Sequence, residues 1–477
     1  MRATCRNAMA AAKVEVHVRM DRRQFGAAAL ASLAFPGLAA CAQAQAQAED
    51  YLNQAEGYGP LQPDPAGMFD LPSGFGYRIV SQAGEAMDDG FVAPGHFDGM
   101  ACFRLDRRRV ALVRNHELNQ GHQAIGPTGG LARLQQRLAG EPCYGRDNDG
   151  RVLPGGTSTI VYNLATGRRE SQYLSLAGTM VNCAGGPTPW DSWLTCEENV
   201  ARAGQLEKDH GWVFDVPARQ CGLVRPEPLR GLGRFRHEAA AVDPDTGIVY
   251  LTEDREDALF YRFIPETARA LGGAGRLQAL ALRDTAGADT RNWQGVGIVA
   301  GGRRAVRWID LDETDSPNDD LRARGHTAGA ALFARGEGIH RGRGEYYFTC
   351  TSGGAARLGQ IMRYLPSRHE GRPGEESAPA RLELFVESAD PRVMNYGDNL
   401  IVAPWGDLIV CEDRADNKVN HLKGVTPDGR LYTLARLNLD TELAGACFSP
   451  DGSTLFVNAY DPGKTLAITG PWRSVRS

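Results

Sequence analysis

Short runs of apolar residues alternate with polar turns along most of this chain, and several of these runs end in a pair of acids. Residues 251–257 read LTEDRED, residues 409–416 read IVCEDRAD and residues 193–199 read WLTCEEN. Short apolar runs bounded by turn residues are typical of β-strands. Two neighbouring carboxylates repel each other, so each pair needs a partner such as water, an arginine or a metal ion.

The acid pairs belong to a longer repeated unit, which consists of a polar start, a strand, a tight turn, a second strand and a polar end. The clearest copies are HEAAAVDPDTGIVYLTED, over residues 237–254, and DNLIVAPWGDLIVCED, over residues 398–413. Further copies begin at Cys183, Glu337 and Ala444, and a looser one begins at Gly99. Six such hairpins predict an all-β fold, a six-bladed β-propeller with loop and short-helix insertions.

A hairpin places the start of its first strand beside the end of its second strand. The inner strands of a propeller converge on a central channel, so we expect the polar ends of the units to meet at one mouth of that channel. The residues predicted to face this mouth are Cys183, Glu238, Glu337, Asp398 and Asn399 at strand starts, and Glu117, Glu197, Glu253 and Glu412 at strand ends. Ordinary hairpins with polar turns are the alternative, but they do not explain acids at the end opposite the turn.

The residue types at this mouth favour metal binding. Oxygen ligands without a histidine cluster suit Ca²⁺ or Mg²⁺, whereas the thiolate of Cys183 favours a softer metal such as iron or zinc. A lone cysteine can also be a small buried residue, but its place at the start of a unit favours a ligand. Arg335 stands two residues before Glu337, and alternate side chains of a strand share a face. Its guanidinium is therefore a candidate phosphate-binding group.

The N-terminus carries export signals. Arg22 and Arg23 precede the apolar stretch GAAALASLAFPGLAA, which resembles a twin-arginine (Tat) signal. Two processing sites compete: cleavage in the AQAQAQA run near Ala48, or lipidation of Cys41 in the lipobox-like sequence LAAC. We therefore predict a signal segment over residues 1–48, and a mature protein that is periplasmic or extracellular, with a lipid anchor at Cys41 as the alternative to free release.

Composition excludes some functions. The chain has a formal net charge of −5, and its basic signal segment makes the remainder still more acidic, which argues against nucleic-acid binding. Beyond Cys5 and Cys41, eight cysteines are scattered along the sequence. This arrangement does not read as a disulfide framework. The motifs HExxH and GxSxG are absent, so the sequence gives no sign of a zinc protease or an α/β-hydrolase.

The motifs resemble those of the PhoX-type alkaline phosphatases. They are RNHE, NCAGGPTPW, WLTCEEN, RFRHEAAAVDP, YLTEDR, ALFARGEG, GDNLIVAPWGDLIVCED, AGACFSPDGSTLFVN and GKTLAITGPW, and they span nearly all of the chain after residue 48. The resemblance implies a single β-propeller phosphatase domain over residues 49–477, Tat export, and hydrolysis of phosphomonoesters at two ferric ions and up to three Ca²⁺ ions.

The resemblance also assigns roles to single residues. It implies iron ligands at Cys183, Glu238 and Glu337, and a phosphate-holding arginine at Arg335. It places the calcium ligands among Glu117, Glu197, Glu253, Asp398, Asn399, Glu412 and Asp413.

Two other functions fit the same pattern. One is a calcium-dependent propeller lactonase or a phosphotriesterase or phosphodiesterase, which needs no cysteine at its site. The other is a non-catalytic binding propeller in which calcium only ties the blades together. For the phosphatase we expect phosphorylated small molecules and the Tat machinery as partners, no nucleic acid, and a monomer.

Overall fold

The six repeat units form antiparallel hairpins in the computed structural model, which describes residues 50–414 and 419–472. Arg22, Arg23 and Cys41 lie outside the described residues, so the structure does not test the export predictions. From Leu52 onward the described residues form one compact unit. No helix in this part is long and apolar enough to span a membrane.

Strands make up most of the described part. They are β1 (Leu61–Gln62), β2 (Phe69–Pro72), β3 (Gly76–Gln82), β4 (Phe97–Arg104), β5 (Arg109–His116), β6 (Gly155–Asn163), β7 (Arg168–Thr179), β8 (Asn182–Pro187), β9 (Ser192–Glu197), β10 (Val213–Pro217), β11 (His237–Val242), β12 (Val249–Glu253), β13 (Tyr261–Pro265), β14 (Gly275–Leu282), β15 (Arg303–Asp310), β16 (Gly336–Arg341), β17 (Tyr346–Cys350), β18 (Gln360–Leu365), β19 (Arg381–Glu387), β20 (Gly397–Val402), β21 (Leu408–Glu412), β22 (Asn420–Val425), β23 (Leu431–Leu437), β24 (Leu443–Phe448), β25 (Thr454–Ala459) and β26 (Lys464–Thr469). Two short α-helices, α1 (Ala132–Leu138) and α2 (Leu321–Thr327), lie in the connections, with 3₁₀ turns at Gln123–Ile125, Arg230–Leu232 and Glu375–Ser377.

The strands of the described part are arranged in five hydrogen-bonded sheets, and the arrangement is β-propeller-like. Four sheets resemble blades, with the strand orders β4-β5-β6-β7, β10-β9-β8, β1-β2-β23-β22-β21-β20 and β24-β25-β26-β3. The fifth has nine strands in the order β11-β12-β13-β14-β15-β19-β18-β17-β16, and it is nearly closed because its edge strands β11 and β16 contact each other. The predicted all-β, propeller-like class is therefore confirmed.

The first strands of the six hairpins surround a common centre. Strand β4 contacts β8, β8 contacts β11, β11 contacts β16, β16 contacts β20, β20 contacts β24, and β24 contacts β4. The ring is tied by β3, a strand from the start of the described chain that pairs with β26 near its end, with Ile79 opposite Leu466. Because the sheets pack against one another, strands such as β21 are buried along their whole length. This burial explains why their sequences are continuously apolar instead of alternating.

Each of the six hairpins contains the same β-bulge, close to the end that faces away from the turn. In the β11–β12 hairpin, His237 pairs with Glu253 and the next pair is Ala240 with Leu251, so Glu238 and Ala239 of β11 oppose Thr252 alone. The same step follows the pairs Phe97–His116, Asn182–Glu197, Gly336–Cys350, Gly397–Glu412 and Ala444–Asn458. A bulge leaves one residue out of the ladder and re-aims side chains, and bulges are common beside active sites.

Candidate metal centre and active site

The bulge sets which side chains point into the mouth of the ring. In five of the six hairpins, the residue after the pair that precedes the bulge has a side chain that can bind a metal ion. These residues are Asp98, Cys183, Glu238, Glu337 and Asp398, and Gly445 takes the same place in β24. A second set follows the paired residue at the end of the second strand, and its acids are Glu117, Glu198, Asp254 and Asp413.

Together with Glu442, which lies just before β24, these residues apart from Asp254 build four overlapping groups of ligand atoms, each with its atoms within 4.8 Å of one another. The groups are Asp98–Glu117–Cys183, Cys183–Glu198–Glu238, Glu238–Glu337–Asp398 and Asp398–Asp413–Glu442. Neighbouring groups share Cys183, Glu238 and Asp398, so the groups form one continuous array. We call these nine side chains, eight carboxyl groups and one thiol, the mouth cluster.

Four side chains of the mouth cluster, Asp98, Glu238, Glu337 and Asp398, are buried, and oxygens of the first three lack hydrogen-bond partners. Glu238 is fully buried, and Asp98 and Glu337 are 3% exposed. Neither carboxylate oxygen of Glu238, nor Asp98 Oδ1, has a hydrogen-bond partner among the described residues. The thiol of Cys183 donates to Asp98 Oδ2 over 3.5 Å. Buried polar atoms in folded proteins are almost always paired, so these orphan oxygens point to a missing partner.

The electrostatics of the cluster lead to the same conclusion. Burial, followed by repulsion from neighbouring acids, raises the pKa of Asp98, Glu238 and Glu337 well above the ordinary range. The same causes raise the pKa of Asp398 to about 7. Burial also raises the pKa of the Cys183 thiol, and Asp98 and Glu238 add to the shift. Acids in this state are stable as anions only beside cations, so the donor set fits several metal ions, with mostly oxygen ligands and one sulfur.

Arg335 is the guanidinium at the mouth. Its Nε donates to Asp254 Oδ1 at 2.7 Å and its Nη2 donates to Asp254 Oδ2 at 3.1 Å, which fixes the plane of the group. Nη2 also lies 3.0 Å from Glu337 Oε1, where the two groups form an ion pair without hydrogen-bond geometry. The negative charge of Glu337 raises the pKa of Arg335. Nη1 has no hydrogen-bond or ion-pair partner among the described residues. Arg335 has a φ of 51°, an uncommon left-handed conformation for a side-chain-bearing residue, just before β16 begins.

Comparison with protein families decides the identity. The family model for alkaline phosphatase PhoX matches residues 56–463, which is most of the chain. This chain belongs to the PhoX family. Membership confirms the resemblance noted in the sequence and the predicted enzyme class, an alkaline phosphatase. The family is metal-dependent, in agreement with the acidic groups at the mouth.

Solved structures are also similar to this PhoX-family chain. Pseudomonas fluorescens PhoX in complex with vanadate, a transition-state analogue, has 18% sequence identity and a TM-score of 0.62, and the alignment covers 88% of this chain and 97% of that one. A gluconolactonase from Xanthomonas campestris has 12% identity and a TM-score of 0.41, with 88% of this chain and 100% of that chain covered. A search of curated proteins gave no match.

Six of the ten predicted metal ligands lie in the mouth cluster of this PhoX-family chain: Cys183, Glu238, Glu337, Glu117, Asp398 and Asp413. Asn399 lies next to the cluster: its Oδ1 accepts from Gly445 N at 2.8 Å and its Nδ2 donates to Asp398 Oδ1 at 3.2 Å. The remaining three predicted ligands, Glu197, Glu253 and Glu412, lie outside the cluster.

Those three glutamates are held by hydrogen bonds from nearby backbone and side-chain donors. Glu197 accepts hydrogen bonds from Met180 N at 2.9 Å, His210 Nδ1 at 2.7 Å and Gly211 N at 3.0 Å. Glu253 accepts from the Tyr261 hydroxyl at 2.7 Å, and Glu412 accepts from Asn395 N at 2.9 Å. Each glutamate is itself the paired residue before the bulge, so its side chain points away from the mouth.

The next residue along the chain faces the mouth in each case: Glu198, Asp254 or Asp413. The two acids of each pair in LTED, VCED and TCEE therefore have different roles. The first accepts hydrogen bonds from nearby donors, and the second lines the mouth. The sequence contains that signal, but only the register shows which member is which. Asp98 and Glu442 are not among the predicted ligands, because each lies just before the repeat unit of its hairpin, which begins at Gly99 or Ala444. Tyr460, whose hydroxyl lies 2.9 Å from His96 Nδ1 beside Glu117, was missed as well.

The adjacent glutamates Glu197 and Glu198 give a matched test of this division. Glu197→Ala should lower the free energy of unfolding of the metal-free protein by about 3 kcal/mol, because it strands buried donors that now pair with a carboxylate. Glu198→Ala should leave that stability unchanged or raise it, since one repelling charge is removed. Thermal unfolding in the presence of a chelator measures both. Equal losses of stability in the two variants would contradict the assigned orientations.

Proposed function

We propose that this PhoX-family chain hydrolyses phosphomonoesters at a mixed centre of iron and calcium ions held by the mouth cluster. The observation that carries the proposal is the place of Cys183, whose sulfur belongs to two adjacent groups of carboxylate ligands. A calcium site needs no thiolate, whereas iron binds one well. The donor set thus combines a softer position with several all-oxygen positions.

We further propose that the six hairpins are the inner halves of six propeller blades. Two facts support this: the closed ring of contacts between the six first strands, and the bulge repeated in every hairpin. On this interpretation the nine-stranded sheet is two blades joined where β15 pairs with β19 through Arg303 and Glu383. The mouth cluster then lies at one end of a single channel.

The proposed metal positions follow from the groups of ligand atoms. Two ferric ions would be held by Cys183, Glu238 and Glu337. Up to three Ca²⁺ ions would be held by the oxygen ligands Asp98, Glu117, Glu198, Asp398, Asp413 and Glu442, with Asn399 adjacent. When bound, such ions supply Lewis-acid stabilisation of the charge on a phosphoryl group and activate a metal-bound water.

The residues of the chain itself bind and orient the substrate. Arg335 would hold two oxygens of the phosphate through its remaining N–H groups, because Asp254 fixes the plane of its guanidinium. The buried carboxylates keep the cluster in a low-dielectric environment, where interactions between the phosphate and positive groups are stronger than in water. A phosphate dianion would then be bound in spite of the acidic composition of the chain.

Chelation tests this proposal. Removing metal from the purified protein should abolish turnover of a chromogenic phosphomonoester, and added Ca²⁺ should restore activity as long as the iron was retained. Lactone and phosphodiester substrates should be assayed in parallel, because the two alternative functions predict either turnover of those substrates or none. A fully metallated protein that opens lactones and cleaves no phosphomonoester would contradict the proposal.

Export by the Tat machinery to the periplasm or the outside of the cell remains part of the proposal. It rests on Arg22 and Arg23 before the apolar stretch, with cleavage near Ala48 or lipidation at Cys41 as the two ways of processing. The double variant Arg22→Lys, Arg23→Lys should leave precursor in the cytoplasm, and normal export of that variant would contradict export by the Tat machinery.

We also propose that the protein is a monomer that acts on phosphorylated small molecules.

A further inference from the structure

A cationic and aromatic surface lies beside the mouth and belongs to none of the elements used so far. It consists of Arg291 and Trp293, in the connection between β14 and β15, and Arg357, in the connection between β17 and β18. The guanidinium carbon of Arg291 is 4.4 Å from the centre of the Trp293 ring, and that of Arg357 is 4.2 Å from it. We call these three residues the rim platform.

The rim platform is joined directly to the phosphate-binding arginine. Strand β17 ends at Cys350 opposite Gly336, so the residues after it lie at the mouth end of the sheet. Thr351 N donates to the carbonyl oxygen of Arg335 at 3.0 Å. The next residue, Ser352, accepts a hydrogen bond from Trp293 Nε1 at 2.7 Å. Two adjacent residues, Thr351 and Ser352, therefore contact the backbone of Arg335 and the indole of the platform.

The platform is a built feature and not a chance surface contact. Asn292, which is 7% exposed, closes the loop that carries Trp293 by accepting hydrogen bonds from Gly297 N and Ile298 N. Its Nδ2 donates to Glu387 Oε2 at 2.7 Å, and Gln360 Nε2 donates to the same oxygen at 2.8 Å. Glu387 Oε1 also accepts from Ala355 N at 3.4 Å, so Glu387 connects the two loops of the platform. Arg291 Nη1 also donates to the carbonyl oxygen of Glu256, two residues after Asp254, at 3.1 Å.

The charge of Arg357 is uncompensated in the described structure. Arg291 is paired with Asp289 at 2.7 Å, but Arg357 forms no ion pair with a carboxylate of the described residues. Arg357 is exposed and has a φ of 55°, a left-handed conformation that costs free energy in a residue with a long side chain. Nearby, Ser352 Oγ is buried, at 6% exposure, and has no hydrogen-bond partner among the described residues. An exposed guanidinium that is held against an indole ring and has no carboxylate partner among the described residues indicates a place for an anion.

We propose that the rim platform is a subsite for a second anionic group, a carboxylate or phosphate on the leaving-group side of the phosphomonoester. Arg357 would pair with this group, and Trp293 would hold the Arg357 guanidinium in place through its ring face. The inference rests on the proposed phosphomonoesterase function, and it narrows the substrate class to elongated molecules with negative charge at both ends.

Two hexose derivatives test the subsite, because they carry the same phosphoester and differ at the far end. The acid 6-phosphogluconate has a carboxylate there, and sorbitol 6-phosphate, which is also an open chain, has a hydroxymethyl group. The wild-type protein should have the higher kcat/KM for 6-phosphogluconate. Arg357→Asn should lower the ratio of the two kcat/KM values about tenfold, the effect of losing one charge-assisted contact. Asparagine is chosen because it tolerates the left-handed conformation.

Two further variants separate this role from a structural one. Arg343→Asn removes an exposed arginine in the turn between β16 and β17, at the opposite end of the same hairpin, and should leave the ratio unchanged. Arg357→Lys retains the positive charge and should retain most of the preference. If Arg357→Asn changes kcat/KM equally for both substrates, or changes it for neither, the proposed subsite is overturned.

Calorimetric titration of the metallated protein with the same two compounds keeps the two proposals distinguishable. Failure to hydrolyse either compound would count against the proposed function. The subsite would still predict that 6-phosphogluconate binds more tightly than the other compound, and that this difference in affinity is lost in Arg357→Asn. Equal affinities in the wild-type protein would overturn the subsite even if both compounds are hydrolysed.

Discussion

Replacing Cys183 with alanine should remove iron, visible absorption and phosphatase activity together. The sulfur of Cys183 is shared by two groups of ligand atoms, and it is the thiol of the mouth cluster. Its surroundings of buried carboxylates raise the pKa of the free thiol, so a thiolate there is stable only when bound to a cation. Bound to ferric iron, a thiolate donates charge to the metal and gives the protein colour.

Two other cysteines provide matched controls for this experiment. Cys196 and Cys411 each stand one residue before the first acid of a pair, and both are fully buried among apolar side chains. Alanine at either position should lower the free energy of unfolding by roughly 1–3 kcal/mol, as expected for a small buried residue, and should leave iron content intact. Iron content, absorption and turnover are measured for the three variants side by side. Full iron and full turnover in Cys183→Ala would refute the thiolate role.

Replacing Arg335 with lysine should lower kcat/KM for a small phosphomonoester about 10²- to 10³-fold, the range seen when one aligned donor is removed from a transition-state site. Lysine retains the charge but cannot pair with Asp254 through two nitrogens and still present a further N–H to the phosphate. The decrease in kcat/KM should therefore be much larger than the decrease caused by removing one ion pair at the protein surface.

The neighbouring Arg255 is the control for Arg335. Its Nη2 donates to Asp319 Oδ2 at 2.6 Å, so its guanidinium is already engaged by a carboxylate. Arg255→Lys should change kcat/KM by no more than about threefold, the size expected for a partly exposed ion pair. Metal content is determined for both variants. If Arg335→Lys loses metal in proportion to activity, the residue maintains the centre and does not act directly on the phosphate.

The sequence was sufficient to predict the hairpins and the end at which their acids meet. Turn residues such as DPDTG and SPDG mark one end of each unit, so the recurring acids had to lie at the other. Cys183, Glu238, Glu337 and Asp398 could be found in this way because each opens a unit immediately before an apolar strand. Their shared position reflects a repeated backbone geometry, which leaves a regular trace in the sequence.

The sequence was not sufficient to assign the strand ends. Alternation of side chains predicts a face only if the register is known, and the bulge in each hairpin shifts that register by one residue. Glu197 and Glu198 are chemically alike, so their order gives no hint of which one is anchored by His210. Contacts between distant parts of the chain, such as β3 with β26 or Trp293 with Ser352, likewise have no local signal.

Elemental analysis of the metallated wild-type protein, combined with a turnover assay on the same sample, tests the central claim most directly. The account predicts about two iron ions and up to three calcium ions per chain, with phosphomonoester turnover that rises and falls with this metal content. A sample that contains calcium without iron and hydrolyses phosphomonoesters at full rate would contradict it.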